Sequence, residues 1–181
     1  MKVAVVGAGP HGQEIAYLLR QQAKEVIVVD DFLPGYEKAE DLDDLMYVAG
    51  AAWPSVRRQI AAKMEARHLT YNGGRVVFPG ARVSSHAKLG RHVHVNYNAV
   101  VSHGCLVGSF TTICPNVTLS GDVTVEPGVF IGAGATVIHG GITIGHDAVI
   151  GAGAVVIRDV RPGETVVGIP AEPVRKRWGS P

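Results

Sequence analysis

Residues 101–125 read VSHGCLVGSFTTICPNVTLSGDVTV, and every sixth position of the stretch is a branched aliphatic residue: Val101, Val107, Ile113, Leu119 and Val125. The register runs back through Val95, Leu89, Val83 and Val77 and forward through Ile131 and Val137 without a miss. It resumes at Ile144, Ile150 and Val156 one residue out of phase, which predicts one extra residue near Gly140 and Gly141, a bulged corner that leaves the coil intact. A second stripe stands two residues before each of these positions, among them Val93, Ala99, Cys105, Thr111, Val117 and Val123. In an extended chain, positions two apart share a face, so each six-residue unit is a short strand with one small and one larger inward side chain, followed by a corner. Three such sides close a coil of about 18 residues, and coils stacked at roughly 4.8 Å make a prism filled with Val, Ile and Ala. A single prism is thin, so association between copies is expected.

The residues before this register have a different pattern. Lys2–Val6 is an apolar run ending in Gly7-Ala8-Gly9-Pro10-His11-Gly12, after which Ile15, Ala16, Leu18 and Leu19 recur at helical spacing. Glu25–Asp30 reads as a second buried strand, and the intervening helix is the crossover that a parallel pair requires. A third strand is expected near Met46–Ala49, then a helix from Val56 to about Arg67 with Ser55 as its N-cap. The fold class is therefore an α/β mini-Rossmann unit of βαβαβ form over residues 1–72, followed by a parallel β-helix domain over residues 73–181.

Composition narrows the function. Glycine makes up 23 of 181 residues, against a usual share of about 7%, which fits a turn-rich chain without collagen period. A formal net charge of +1 gives neither nucleic acid nor a membrane surface an electrostatic hold, so small-molecule chemistry is the expectation. Cys105 and Cys114 are too few for a disulfide scaffold, and no apolar run approaches a membrane span. With no secretory-type leader at its start, the chain is expected in the cytoplasm.

The repeat from Val77 to Val156, closing in Val167-Gly168-Ile169-Pro170-Ala171, resembles the hexapeptide-repeat acyltransferases, whose β-helix is left-handed. With Val5-Val6-Gly7-Ala8-Gly9-Pro10-His11-Gly12 and Asp30-Asp31 in front, the chain is similar to the bacterial nucleotide-amino-sugar acetyltransferases and sialic-acid O-acetyltransferases of surface-glycan pathways. The resemblance implies a homotrimer, a nucleotide-linked amino sugar on the first domain, acetyl-CoA as co-substrate along the β-helix, and no metal. It implies that His103, in Val101-Ser102-His103-Gly104-Cys105, is the catalytic histidine. Gly104 departs from the acidic residue usual beside it, so orientation of the ring must come from elsewhere. Asn98 is implied as a contact to the CoA amides, Thr112 stands where some relatives carry a histidine near the thioester, and His11 is implied in the groove between subunits. The stretch Phe32–Leu45 is shorter than its counterpart in relatives.

The residues also carry readings of their own. Acetyl transfer needs a base for the acceptor's proton and donors for the oxyanion, and an imidazole with an ordinary pKa of about 6.5 suits the first task. His103 falls two residues past an inward valine, at a corner facing outward; the alternative is a solvated corner histidine. His139 has the same phase two coils later, roughly 10 Å along the prism by strand spacing. His86, His92, His94 and His146 read as surface histidines. Asn98 and Asn116 stack on adjacent coils, which an amide ladder would also explain. Gly7, Gly9 and Gly12 allow a tight turn and close approach of a diphosphate to a helix N-terminus, and Asp30 suits a ribose hydroxyl. Asp31 reads as a turn residue. Gly132 and Gly151, in Gly132-Ala133-Gly134 and Gly151-Ala152-Gly153, read as corner glycines with positive φ whose bare backbone lets a pantetheine arm lie flat. Arg175, Lys176 and Arg177 suit either CoA phosphates or a solvated tail, and Cys105 reads as inert packing.

Three other functions compete. A dinucleotide-dependent oxidoreductase would need a second βαβ half that 72 residues do not hold. A zinc enzyme of the γ-carbonic-anhydrase kind would need a close histidine pair at ligand spacing, which is missing. A non-catalytic binding trimer draws its support from Gly104.

Overall fold

The computed structural model describes residues 2–22, 24–30, 35–36, 46–64 and 69–174. Asp31, Arg175, Lys176, Arg177 and most of the stretch Phe32–Leu45 lie outside the described residues. The chain forms two compact units, Met1–Arg75 and Val76–Pro181.

In the first unit, β1 (Lys2–Val6), β2 (Glu25–Val29), β3 (Met46–Ala49) and β4 (Leu69–Thr70) form one parallel sheet in the order β2-β1-β3-β4. β1 is interior, and Val3, Ala4 and Val5 are completely buried, which is why its sequence is continuously apolar rather than alternating. Helix α1 (Pro10–Gln21) starts on Gly9 as N-cap with Pro10 in its first turn, and buries Ile15, Ala16 and Leu19. Helix α2 (Pro54–Met64) begins two residues before the Val56 start expected with Ser55 as N-cap, so Ser55 lies inside the helix. Pro54 opens it because the first helical turn needs no N–H from that residue, and the Arg57 N–H donates to the carbonyl of Trp53 at 3.1 Å. The residues expected to extend this helix toward Arg67 lie outside the described residues. The sequence pattern does not announce β4, since two residues are too short to display a period.

The second unit is a left-handed parallel β-helix of about 5 turns. Its two-residue strands begin with β5 (Val76–Val77), β6 (Arg82–Val83) and β7 (Lys88–Leu89), one per face, and the faces grow into ladders of seven, five and four strands. Register is 18 residues per coil in the first part, as in Thr112↔His94 and Thr118↔Val100. It becomes 19 after the glycine pair, as in Thr124↔Thr143 and Phe130↔Val149. One extra residue is thus absorbed at Gly140–Gly141, both with positive φ, and the ladders continue.

Both inward stripes are buried from Val93 onward, and they pack into one continuous column. The first coil has a neighbouring coil on one side only, and there Val77 is exposed and Val83 half-buried. The corners from Leu89 to Ile150 turn through a left-handed residue three past the larger stripe position: Asn98, Gly104, Phe110, Asn116 and Asp122 all have φ between 57° and 70°. Asn, Asp and Gly tolerate that conformation readily. His92 and Phe110, also left-handed, lie on adjacent coils with rings stacked at 4.8 Å and 5°. His92 and His94 are therefore not surface residues. Both are completely buried, His92 beneath Phe110's ring and His94 beside the equally buried Thr112. Among the described residues, no helix is long and apolar enough to cross a membrane.

Candidate active site

The corner between the five-stranded and four-stranded ladders is repeated on successive coils, and it carries the outward imidazoles. His103 lies between β9 (Val100–Val101) and β10 (Leu106–Val107), and His139 between β15 (Thr136–Val137) and β16 (Thr143–Ile144). Between them, in the coil of β12 (Thr118–Leu119) and β13 (Thr124–Val125), the same column position is Gly121. A Cβ at Gly121 would stand 2.5 Å from His103 Cε1 and 3.1 Å from His139 Nδ1. With no side chain there, the two rings lean together over the glycine, and their centroids are 6.4 Å apart, closer than the roughly 10 Å that coil spacing alone gives.

Both rings remain open to solvent, with side-chain exposures of 66% for His103 and 67% for His139. The Nδ1 hydrogen of His139 goes to the Gly121 carbonyl oxygen at 2.9 Å, since a carbonyl can only accept. Asp122 follows Gly121, and its two carboxylate oxygens are 4.0 Å from His103 Nδ1 and 3.9 Å from His139 Nδ1. The sequence reading passes over Asp122, because the 18-residue register places it one coil past Gly104 but does not give the direction of its side chain. Cys105, next along, is buried with its thiol donating to the Ser120 carbonyl at 3.1 Å, and burial raises its pKa.

The residues assigned to acetyl-CoA are not at this corner. Asn98, Gly132 and Gly151 lie at the turn between the seven-stranded and five-stranded ladders. Asn98 leans over Gly80, where a Cβ would overlap its Oδ1. Gly132 and Gly151 are absent from the positive-φ positions, which fall on Gly134 and Gly153 instead. Their bareness serves stacking: a Cβ at Gly132 would stand 2.6 Å from the Ala152 nitrogen, and one at Gly151 would stand 2.7 Å from Val167 Cγ1. Thr112 is completely buried on β11 (Thr112–Ile113), in the seven-stranded ladder and away from both corners.

In the first unit, Gly7, Gly9, His11, Asp30, Gly50 and Lys63 line one cavity of about 440 Å³. Gly12 is not in the lining. It lets α1 sit against the turn, because a Cβ there would overlap the Gly7 carbonyl oxygen. Gly50, which the sequence reading omits, does the same from β3, where a Cβ would be 2.8 Å from that oxygen. One carboxylate oxygen of Asp30 accepts the Ala8 N–H at 2.7 Å and so holds the glycine turn. The Arg57 side chain is completely buried and donates to the carbonyls of Ala51 at 2.8 Å and Ala52 at 2.6 Å. His11 is pulled down from an ordinary 6.5 to about 4, first by burial and then by the Arg57 charge, so its ring is neutral at neutral pH.

Two family models match within the β-helix: bacterial transferase hexapeptide (six repeats) over residues 104–139, and hexapeptide repeat of succinyl-transferase over residues 122–158. No curated protein matches the sequence significantly. Solved structures do match. The acetyltransferase domain of PglB from Neisseria gonorrhoeae, in complex with acetyl coenzyme A, is 28% identical with a TM-score of 0.83, covering 96% of this chain and 98% of that one. WeeI from Acinetobacter baumannii is 28% identical with a TM-score of 0.82, covering 96% and 100%. A histidine variant of perosamine N-acetyltransferase from Caulobacter crescentus, in complex with CoA and GDP-perosamine, is 25% identical with a TM-score of 0.79, covering 97% and 98%. With the hexapeptide register, the coils it builds and this likeness along nearly the whole chain, the protein is an acyltransferase that carries hexapeptide transferase repeats and is similar to these sugar acetyltransferases.

Proposed function

We propose that the protein transfers the acetyl group of acetyl-CoA to the amino group of a nucleotide-linked amino sugar, in the cytoplasm, for surface-glycan biosynthesis. The observation that carries this reading is the likeness, across both units, to a perosamine N-acetyltransferase solved with CoA and a nucleotide sugar. The cavity at Gly7, Gly9, His11 and Asp30 suits the nucleotide, with diphosphate at the α1 N-terminus. A neutral, half-buried His11 presents a hydrogen-bonding group there without a charge to desolvate.

His103 is the general base. As the amine attacks the thioester carbonyl, His103 Nε2 takes a proton from the nitrogen, and a backbone N–H steadies the oxyanion. Collapse of the tetrahedral intermediate breaks the C–S bond, and the imidazolium returns the proton to the departing thiolate. Asn98, Gly132 and Gly151 lie at a different corner of the prism from His103. One acetyl-CoA can meet both sets where corners of two copies face each other, which supports a homotrimer with its sites in the grooves between subunits.

The test is thiol release from acetyl-CoA with GDP- and UDP-linked amino sugars as acceptors and a sialic acid as the O-acetylation control. An amino sugar is expected to turn over and His103→Ala to abolish turnover. Turnover of the sialic acid alone would move the acceptor from nitrogen to oxygen. Nucleotide binding with no turnover of any acceptor would make the protein a binding trimer.

A further inference from the structure

A general base works through one ring nitrogen only if something holds the hydrogen on the other. The residue beside His103 offers nothing, since Gly104 has no side chain. The carboxylate comes from the next coil. Asp122 is in register with Gly104, and its backbone N–H donates to the His103 carbonyl at 3.0 Å. Its side chain leans back over Gly104, where a Cβ would overlap its Oδ1, so the bare glycine is what admits it.

From there Oδ1 reaches His103 Nδ1 at 4.0 Å, beyond a hydrogen bond but within ion-pair range. A carboxylate only accepts, so it favours the tautomer with hydrogen on Nδ1 and leaves the Nε2 lone pair for the acceptor's proton. His139 does not compete for the same service, because its Nδ1 hydrogen is already held by the Gly121 carbonyl.

We infer that Asp122 is the positioning residue for His103, supplied across the coil rather than along the chain. The inference rests on His103 being the general base, as proposed above.

Asp122→Asn isolates the charge. Asn98 has nearly the same backbone as Asp122, with φ 57° against 61°, and leans over Gly80 as Asp122 leans over Gly104, so asparagine preserves the corner. Expected in this variant is a loss in kcat on the order of 10- to 100-fold, with KM for acetyl-CoA and the melting temperature unchanged. The double variant Gly104→Asp with Asp122→Gly, which moves the carboxylate back beside the histidine, is expected to recover most of the loss. Gly104→Asp alone is expected to be impaired, because two carboxylates would overlap. Full kcat in Asp122→Asn while His103→Ala is inactive would overturn the inference and leave the base in place. So would a folded double variant without recovery. An active His103→Ala would instead overturn the reading of the site.

Discussion

The His139 ring is fixed by the Gly121 carbonyl oxygen, 2.9 Å from its Nδ1, and the same glycine gives His103 room to lean toward it. Gly121 is not among the positive-φ positions, so alanine is acceptable to the backbone there. Gly121→Ala is expected to fold with a melting temperature within a few degrees of the parent. Its kcat is expected to fall by about 10-fold or more, because a methyl group would displace both rings. Steady-state kinetics beside a melting curve separate the two effects. Unchanged kcat would mean that the ring positions do not matter to turnover.

The neutral state of His11 has a stability consequence. Its pKa is lowered from 6.5 to about 4 in the folded chain. Between those values the unfolded chain binds a proton that the folded chain refuses, so stability present above pH 6.5 is lost as pH falls toward 4. Between pH 7 and pH 5 the contribution is about 2 kcal/mol. Urea unfolding of the parent and His11→Gln at both pH values is expected to show that much less acid sensitivity in the variant. Equal sensitivity would mean that His11 titrates normally.

Gly12 packs directly against the backbone of the glycine turn. A Cβ there would overlap the Gly7 carbonyl oxygen, and a main-chain atom cannot swing aside. Gly12→Ala is expected to cost about 1–3 kcal/mol or more and to weaken nucleotide binding by displacing the turn at Gly7 and Gly9. Calorimetric titration with the nucleotide checks it, and parent-like affinity would contradict the packing role.

Two glycines of one corner are expected to behave differently. Gly134 has φ +69° and open space around it, and Asn116 occupies the equivalent position one coil earlier. Gly134→Asn is expected to change stability by about 0.5 kcal/mol or less, as for a compatible surface position. Gly132→Ala would place a Cβ 2.6 Å from the Ala152 nitrogen and is expected to cost about 2 kcal/mol or more. Chemical denaturation of the pair distinguishes a conformational glycine from a packing one.

The prism is legible because a six-residue period leaves the same kind of residue at every inward position, and one slipped residue shows up as one phase change. The α/β sheet is legible where strands are long, as in Lys2–Val6, and not at Leu69–Thr70, where two residues carry no pattern. Period places a residue on a coil and a corner but does not state which way its side chain leans. That is why His103 and His139 come closer than their backbone spacing implies, and why Asp122 is invisible until Gly104 is seen beneath it. Burial of His92 and His94 is illegible for a related reason: their phase points outward, and what covers an outward position is decided by other residues. Gly12 looks like a ligand or turn glycine in the chain and Gly50 carries no signal at all, and only the approach of both to the Gly7 carbonyl reveals their packing.

The extra residue at Gly140–Gly141 falls just downstream of His139. The fold therefore tolerates an insertion and continues its ladders, while His103, Asp122 and His139 all lie on the side where the count is still 18. A single residue added at the corner that holds His103, Gly121–Asp122 or His139 would leave a well-formed helix and displace one of these groups from the others. Architecture and chemistry in this chain obey different tolerances to length, so viable indels should avoid this one corner while other corners accept them.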